Sequence, residues 1–107
     1  MIAEEAAVLF GVLSNADRLS VIRALVEVGP DGMSAGDIAR QIGASPSRAS
    51  FHLNALSEAG FLTKERQSRS QNYRIDFNKI GQLVTFLMDD CCKGNAELRN
   101  CCSMRAG

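Results

Sequence analysis

Apolar residues recur at helical spacing in five stretches of the chain and crowd into two short extended ones. Residues 2 to 13 place Ile2, Ala6, Leu9, Phe10 and Leu13 on one stripe, which predicts a first helix. Nothing next to it in sequence offers that stripe a partner. A second helix is capped by Ser14 or Asn15, carries Asp17 in its first turn, and shows Leu19, Ile22, Leu25 and Val26 as its buried stripe before Gly29 and Pro30 stop it. Ser34 caps a short third helix, with Asp37 at the reciprocal capping position, Ile38 and Ile42 facing inward, and Gly43 supplying a left-handed turn. Ser45 caps a fourth helix that opens on Pro46, because the fixed φ of proline suits the first helical position, and runs to Gly60.

Phe61 to Glu65 and Asn72 to Phe77 read as strands around a polar, basic tip, Arg66 to Gln71. A fifth helix carries Ile80, Leu83, Val84, Leu87 and Met88 on one stripe, with Gly94 as its terminator. Two helices joined by a tight glycine turn form a helix-turn-helix. The whole pattern predicts a mainly α fold with a small β-hairpin wing, in the order four helices, two strands, one helix. A chain of 107 residues, 46% hydrophobic, supports one core. Residues 1–90 are expected to form the DNA-binding and dimerisation domain, and residues 91–107 a cysteine-containing tail. The winged core does not cover the stripes of both the first and fifth helices, so these are expected to pack on the same helices of a second copy, giving a two-fold homodimer.

Charge changes this picture through its distribution. Twelve basic residues balance twelve acidic ones, which is not the strongly basic total of a simple nucleic-acid binder. Residues 45 to 74, however, carry five basic and two acidic side chains, against three basic and six acidic in residues 1 to 44. The middle of the chain is therefore locally basic, and a dimer presents it twice. No apolar run reaches the roughly 20 residues that span a bilayer, and Glu4 and Glu5 disfavour a leader, so a cytoplasmic protein is expected.

The fourth helix holds the candidate DNA-reading residues. Ala49, Leu53 and Leu56 define its buried face, and at 100° per residue Ser47, Phe51 and Asn54 point nearly opposite, flanked by Ser50 and Arg48. The N-terminal part of such a helix enters the major groove, where Ser45, Ser47, Arg48 and Ser50 meet bases or phosphates and Phe51 meets a thymine methyl. His52, the single histidine, falls at the edge of the core and is open to either packing or a phosphate contact. Arg69 in the hairpin tip is placed to reach the adjacent DNA backbone or minor groove, with Arg66 a weaker candidate.

The run from Ser45 to Leu62, SPSRASFHLNALSEAGFL, resembles the recognition helix of the ArsR/SmtB repressors, in which a serine and then histidine and leucine precede a leucine and an alanine-glycine stop. Arg18-Leu19 and Tyr73-Arg74 also fall where that family has them, and the resemblance covers residues 2 to about 90. It implies a homodimeric repressor that holds partly palindromic double-stranded operator DNA until an inducer, usually a metal or metalloid ion, binds. Arsenic-sensing members often carry Cys-Val-Cys in the third helix, where this chain has Ser34-Ala35-Gly36, and no histidine lies on the last helix. Other members that resemble this chain have a cysteine pair near the end of the last helix and respond to arsenite.

All four cysteines lie in the tail, as Cys91-Cys92 and Cys101-Cys102. Trivalent arsenic and antimony are soft ions that take three thiolates in a pyramid, and a methylated arsenical needs two. Cys91 and Cys92 continue the positions of Leu87 and Met88, and a fold-back of the tail offers a third thiolate from Cys101 or Cys102. The expected inducer is As(III) or Sb(III), and no cofactor is expected for folding. A thiol-redox switch by disulfide formation is the main alternative, followed by structural zinc, whose cysteines favour wider spacing, and by inert thiols. An enzyme is not expected, since the chain has neither a Cys-x-x-Cys pair nor a glycine-rich phosphate loop.

Overall fold

The computed structural model describes residues 1–91, and side chains for residues 1–88. Helix α1 (Ala3–Leu13) buries Ala6 and Leu9. Its stripe therefore has a partner within the chain, since it packs on the second and fourth helices, although Ile2 and Val8 stay exposed. Helix α2 (Ala16–Val28) starts where the Asn15 side chain accepts the backbone N–H of Arg18 at 3.2 Å, so Asn15 rather than Ser14 is the cap. It ends at Gly29, whose φ of 76° leads into a 3₁₀ turn, Gly29–Asp31.

The buried face of α2 differs from the expected one. Val21, Ile22, Ala24 and Leu25 are buried, whereas Leu19 and Val26 are exposed. A helix of two overlapping apolar stripes turns one of them inward. The stripe that meets the next two helices and the sheet centres near Val21 and Leu25, and Leu19 and Val26 lie about 120–140° around the axis from it.

Helix α3 (Ala35–Ile42) and helix α4 (Pro46–Glu58) form the helix-turn-helix, with Gly43 between them at φ 69° in the left-handed region. Ser34 Oγ accepts from Asp37 N at 3.1 Å, and Ser45 Oγ accepts from Arg48 N at 3.2 Å, so both expected caps are present. Leu25, Ile38, Leu53, Leu56 and Phe61 are the largest side chains with no surface exposed, and they mark the centre of the core.

The wing is longer than expected. Strands β2 (Leu62–Gln67) and β3 (Ser70–Ile75) pair antiparallel from Leu62 opposite Ile75 to Gln67 opposite Ser70. The polar stretch read as a loose tip is therefore mostly strand, turned by Ser68 and Arg69, with Ser68 at φ 55°. Beyond Leu62 the side chains of β2 are exposed on both faces, so no alternation marks it as a strand; the backbone ladder holds it. A two-residue strand, β1 (Met33–Ser34), pairs with Tyr73 and Asn72 to complete a sheet in the order β1-β3-β2.

That pairing brings two backbones close together. A Cβ at Gly32 would stand 2.4 Å from the Tyr73 carbonyl oxygen, and its φ is +72°, so only glycine fits. Asn72 Nδ2 also donates to the Asp31 carbonyl at 2.9 Å. The base of the wing is thereby clamped to the helix-turn-helix.

Phe77 is the first residue of helix α5 (Phe77–Thr85), not the end of a strand. Asp76 caps the helix by accepting from Asn78 N at 3.0 Å and Lys79 N at 3.3 Å. Leu83 is buried, while Val84 and Leu87 are exposed. A π-helical turn, Phe86–Cys91, follows. Its wider winding departs from the 100° per residue that aligned Cys91 with Leu87 in the sequence. Gly94, Cys92, Cys101 and Cys102 lie outside the described residues. No helix among the described residues is long and apolar enough to cross a membrane.

Candidate nucleic-acid interface

Helix α4 is divided lengthwise. Ala49, His52, Leu53 and Leu56 are buried, and Ser47, Arg48, Ser50, Phe51 and Asn54 are exposed. Phe51 is 64% exposed, an unusual position for a large apolar ring on a helix whose other face fills the core. The Arg18 guanidinium carbon stands 5.8 Å from its ring centroid, and the His52 ring meets its edge at 5.4 Å and 68°. Both contacts steady the ring without covering it.

His52 departs from the DNA-contact expectation. It is 6% exposed, its Nδ1 accepts from Arg18 Nε at 3.1 Å, and its Nε2 lies 3.4 Å from Asp17 Oδ2. Both ring nitrogens face the protein, so His52 ties α2 to α4 and does not present itself to a phosphate. An imidazole that accepts at Nδ1 carries its proton on Nε2, toward the Asp17 carboxylate.

Arg48 is half exposed and anchored. Nε donates to Asp17 Oδ2 at 3.0 Å, and Nη2 donates to the Gly43 carbonyl at 3.3 Å. Ser45 uses its oxygen to cap the helix and keeps its hydroxyl hydrogen for a further acceptor. Arg69 occupies the two-residue wing turn and Arg66 lies on β2, both exposed. Among the described residues neither forms an ion pair, whereas Arg74 pairs with Glu65 at 2.9 Å.

Asp17 and Arg18 are the residues that sequence reasoning overlooked at this site. Arg18 also donates through Nη1 to the Val12 carbonyl at 3.1 Å, so one side chain touches the end of α1, His52 and Phe51. Two opposite charges side by side at the start of α2, facing a helix with its own arginine and histidine, were the available signal. Of the four expected cysteine ligands none has a described side chain. Among the described residues no group of three or more His, Cys, Asp or Glu is arranged to hold a metal.

A helix-turn-helix with an exposed polar recognition face and a clamped β wing defines a winged helix-turn-helix DNA-binding protein. A helix-turn-helix domain family matches residues 13–65. The chain is 30% identical over 90 residues to the HTH-type transcriptional regulator YgaV of Escherichia coli (strain K12), covering 84% of this chain and 89% of that one. Among solved structures it is similar to the transcriptional repressor BigR of Xylella fastidiosa, with 34% identity, a TM-score of 0.66, and coverage of 80% of this chain and 85% of that one. An ArsR-like transcriptional regulator from Rhodococcus sp. RHA1 shares the fold at a TM-score of 0.70 and 23% identity, covering 94% and 92% of the two chains. The chain belongs to the HTH-type transcriptional regulators, its fold is that of an ArsR-like winged helix-turn-helix protein, and its relatives are regulators of transcription rather than enzymes.

Proposed function

We propose that this regulator acts in the cytoplasm as a homodimeric repressor that holds operator DNA and releases it when trivalent arsenic or antimony, inorganic or methylated, binds thiolates of the tail. The observation that carries the DNA-binding part is the division of α4. Ser47, Arg48, Ser50 and Phe51 are exposed on one side while Leu53 and Leu56 are locked in the core on the other. Each copy lays this exposed N-terminal part in a major groove, with the Ser45 hydroxyl on the flank and Arg69 of the wing on the neighbouring backbone.

Dimerisation through α1 and α5 is supported by the apolar surface left on them. Val8 on α1 and Val84 on α5 are exposed, as are Ile2 just before α1 and Leu87 in the turn after α5, and an open groove of about 640 Å³ with both apolar and polar walls, Met1, Leu9 and Phe77 among them with Glu5, Lys79 and Gln82, runs between the two helices. A winged helix-turn-helix domain from Mycobacterium bovis with the same fold, TM-score 0.65, is described as homodimeric. Repression is a proposal supported by the likeness to a repressor.

The sensing part rests on the chemistry of the tail. Residues 91–107 hold all four thiols of the chain, Cys91, Cys92, Cys101 and Cys102, in two adjacent pairs beyond the dimerising helix. Soft trivalent metalloids prefer thiolate sets of this kind over oxygen or nitrogen donors. Ligand drawn onto Cys91, Cys92 and one thiol of the later pair pins the tail against α5 and rotates the two recognition helices away from the spacing of about 34 Å that successive major grooves require.

Gel-shift titration on promoter DNA with arsenite, antimonite, zinc and peroxide tests this reading. Arsenite or antimonite is expected to weaken binding by about 5- to 150-fold, the usual range of such coupling. The double variant Cys91→Ser, Cys92→Ser is expected to bind DNA and ignore both ions. Release by peroxide and not by arsenite replaces the metalloid with a disulfide-based redox signal. Failure to bind any duplex overturns the whole proposal.

A further inference from the structure

Arg48 is the only lysine or arginine on α4, and the way it is held is more specific than a phosphate contact needs. A guanidinium carries five N–H donors in a planar fork. Nε donates to Asp17 Oδ2 at 3.0 Å, and Nη2 donates to the Gly43 carbonyl at 3.3 Å. Among the described residues Nη1 has no acceptor and Nη2 has a single one, so the Nη1 donors and one N–H of Nη2 remain for a further partner.

The two anchors belong to different elements, the first turn of α2 and the C-terminal turn of α3. The head group is therefore fixed with respect to the whole helix-turn-helix and not only to its own helix. Asp17 is itself oriented. Its Oδ2 faces Nε2 of the buried His52, and the opposite ring nitrogen is fixed by the hydrogen bond from Arg18 Nε.

We propose that Asp17 is a positioning residue that holds Arg48 as a pre-aimed fork for one guanine in the major groove of the operator, through O6 and N7. The inference rests on the reading of α4 as the DNA-reading helix, and deepens it by naming a base. Two parallel donors match the two acceptors that guanine presents in that groove. A phosphate also offers two acceptors, but the Asp17 carboxylate offsets the charge that phosphate attraction depends on. Immobilising the fork favours instead a partner with fixed direction and position, because the ordering is complete before DNA arrives. Arg48 is the third residue of α4, within the part of a recognition helix that meets base edges.

The test uses the full chain. Wild-type protein enriches a site from a random duplex library, and each guanine of that site is replaced in turn by 7-deazaguanine, which lacks N7 but still pairs with cytosine. One position per half-site is expected to lose about 5- to 150-fold in affinity, the discrimination that a bidentate pair supplies. Asp17→Ala and Arg48→Ala are expected to bind the guanine and 7-deazaguanine sites alike, and Asp17→Asn, which keeps an acceptor for Nε, to retain part of the preference. Arg48→Lys keeps the charge without the fork, and is expected to lose the preference while retaining affinity for an unrelated duplex.

Thermal unfolding of Asp17→Ala and its binding to the unrelated duplex separate positioning from general damage; unfolding is expected at a lower temperature, because the His52 Nε2–H loses its acceptor, while binding to the unrelated duplex below that temperature stays near wild type. Undiminished guanine preference in Asp17→Ala, or in Arg48→Lys should Asp17→Ala fold poorly, overturns the inference and leaves the operator reading standing. A rise in affinity of Asp17→Ala for all duplexes alike also overturns it, because Asp17 then withholds Arg48 from phosphates. Absence of any enriched site with wild-type protein overturns the operator reading itself.

Discussion

Between α2 and the helix-turn-helix the large aliphatic side chains meet inside one chain, and Leu25, Ile38, Leu53 and Leu56 have no exposed surface. Along α1 and α5 the same kinds of residue are shared between two sides. Ala6, Leu9 and Leu83 are buried, while Val8 and Val84 on the same helices, and Ile2 and Leu87 beside their ends, remain in solvent. The first region is complete in a single copy. The second uses one edge of each helix to close the chain's own core and leaves the other edge apolar, the state expected of a surface that meets a second copy.

Three variants break or sharpen that contrast. Val84→Glu combined with Leu87→Glu places two carboxylates on the exposed edge and leaves Leu83 in place. Sedimentation is expected to show a monomer that keeps its helical circular dichroism, and gel shifts to show operator affinity reduced by about 10²- to 10⁴-fold as the second half-site contact is lost. A dimer that survives both carboxylates moves the interface elsewhere. Leu53→Ala acts on the self-contained region and is expected to lower the unfolding free energy by about 2–5 kcal/mol in urea titrations. A loss under 1 kcal/mol would mean that this core is loosely packed. Asn15→Ala removes the cap at the junction of α1 and α2, where a loss of about 1 kcal/mol is expected in the same titration.

What the sequence revealed follows from how local each cause is. Asn15, Ser34 and Ser45 cap their helices through a backbone N–H three residues ahead, and so were legible within a few residues. Asp76, directly before the periodic run of α5, was an equally local signal that strand reading of Phe77 hid. Periodicity predicted a stripe on α2 but not which of two stripes turns inward, because Val21 and Ala24 prevail over Leu19 and Val26 only through what α3, α4 and the sheet bring against them. The outer wing has no buried face, so its strands carried no alternation to read.

At the candidate site the exposed set Ser47, Arg48, Ser50 and Phe51 followed from helical geometry alone. The roles of Asp17, Arg18 and His52 did not. His52 and Arg18 are 34 positions apart, and Arg48 and Asp17 are 31 apart, so nothing short of the folded chain brings them together.

The order of the sheet decides one more property, how the protein behaves when crowded. Its two outer strands are β1 and β2. An open edge of unpaired N–H and C=O groups is a template on which other chains add, and it is the usual start of fibrous aggregates. Here β1 is two residues long, too short to seed such growth, and β2 carries Lys64, Glu65 and Arg66 in succession, whose charges oppose the close approach of another strand. Both routes to sheet growth are opposed, so the wing offers no ready seed for polymerisation.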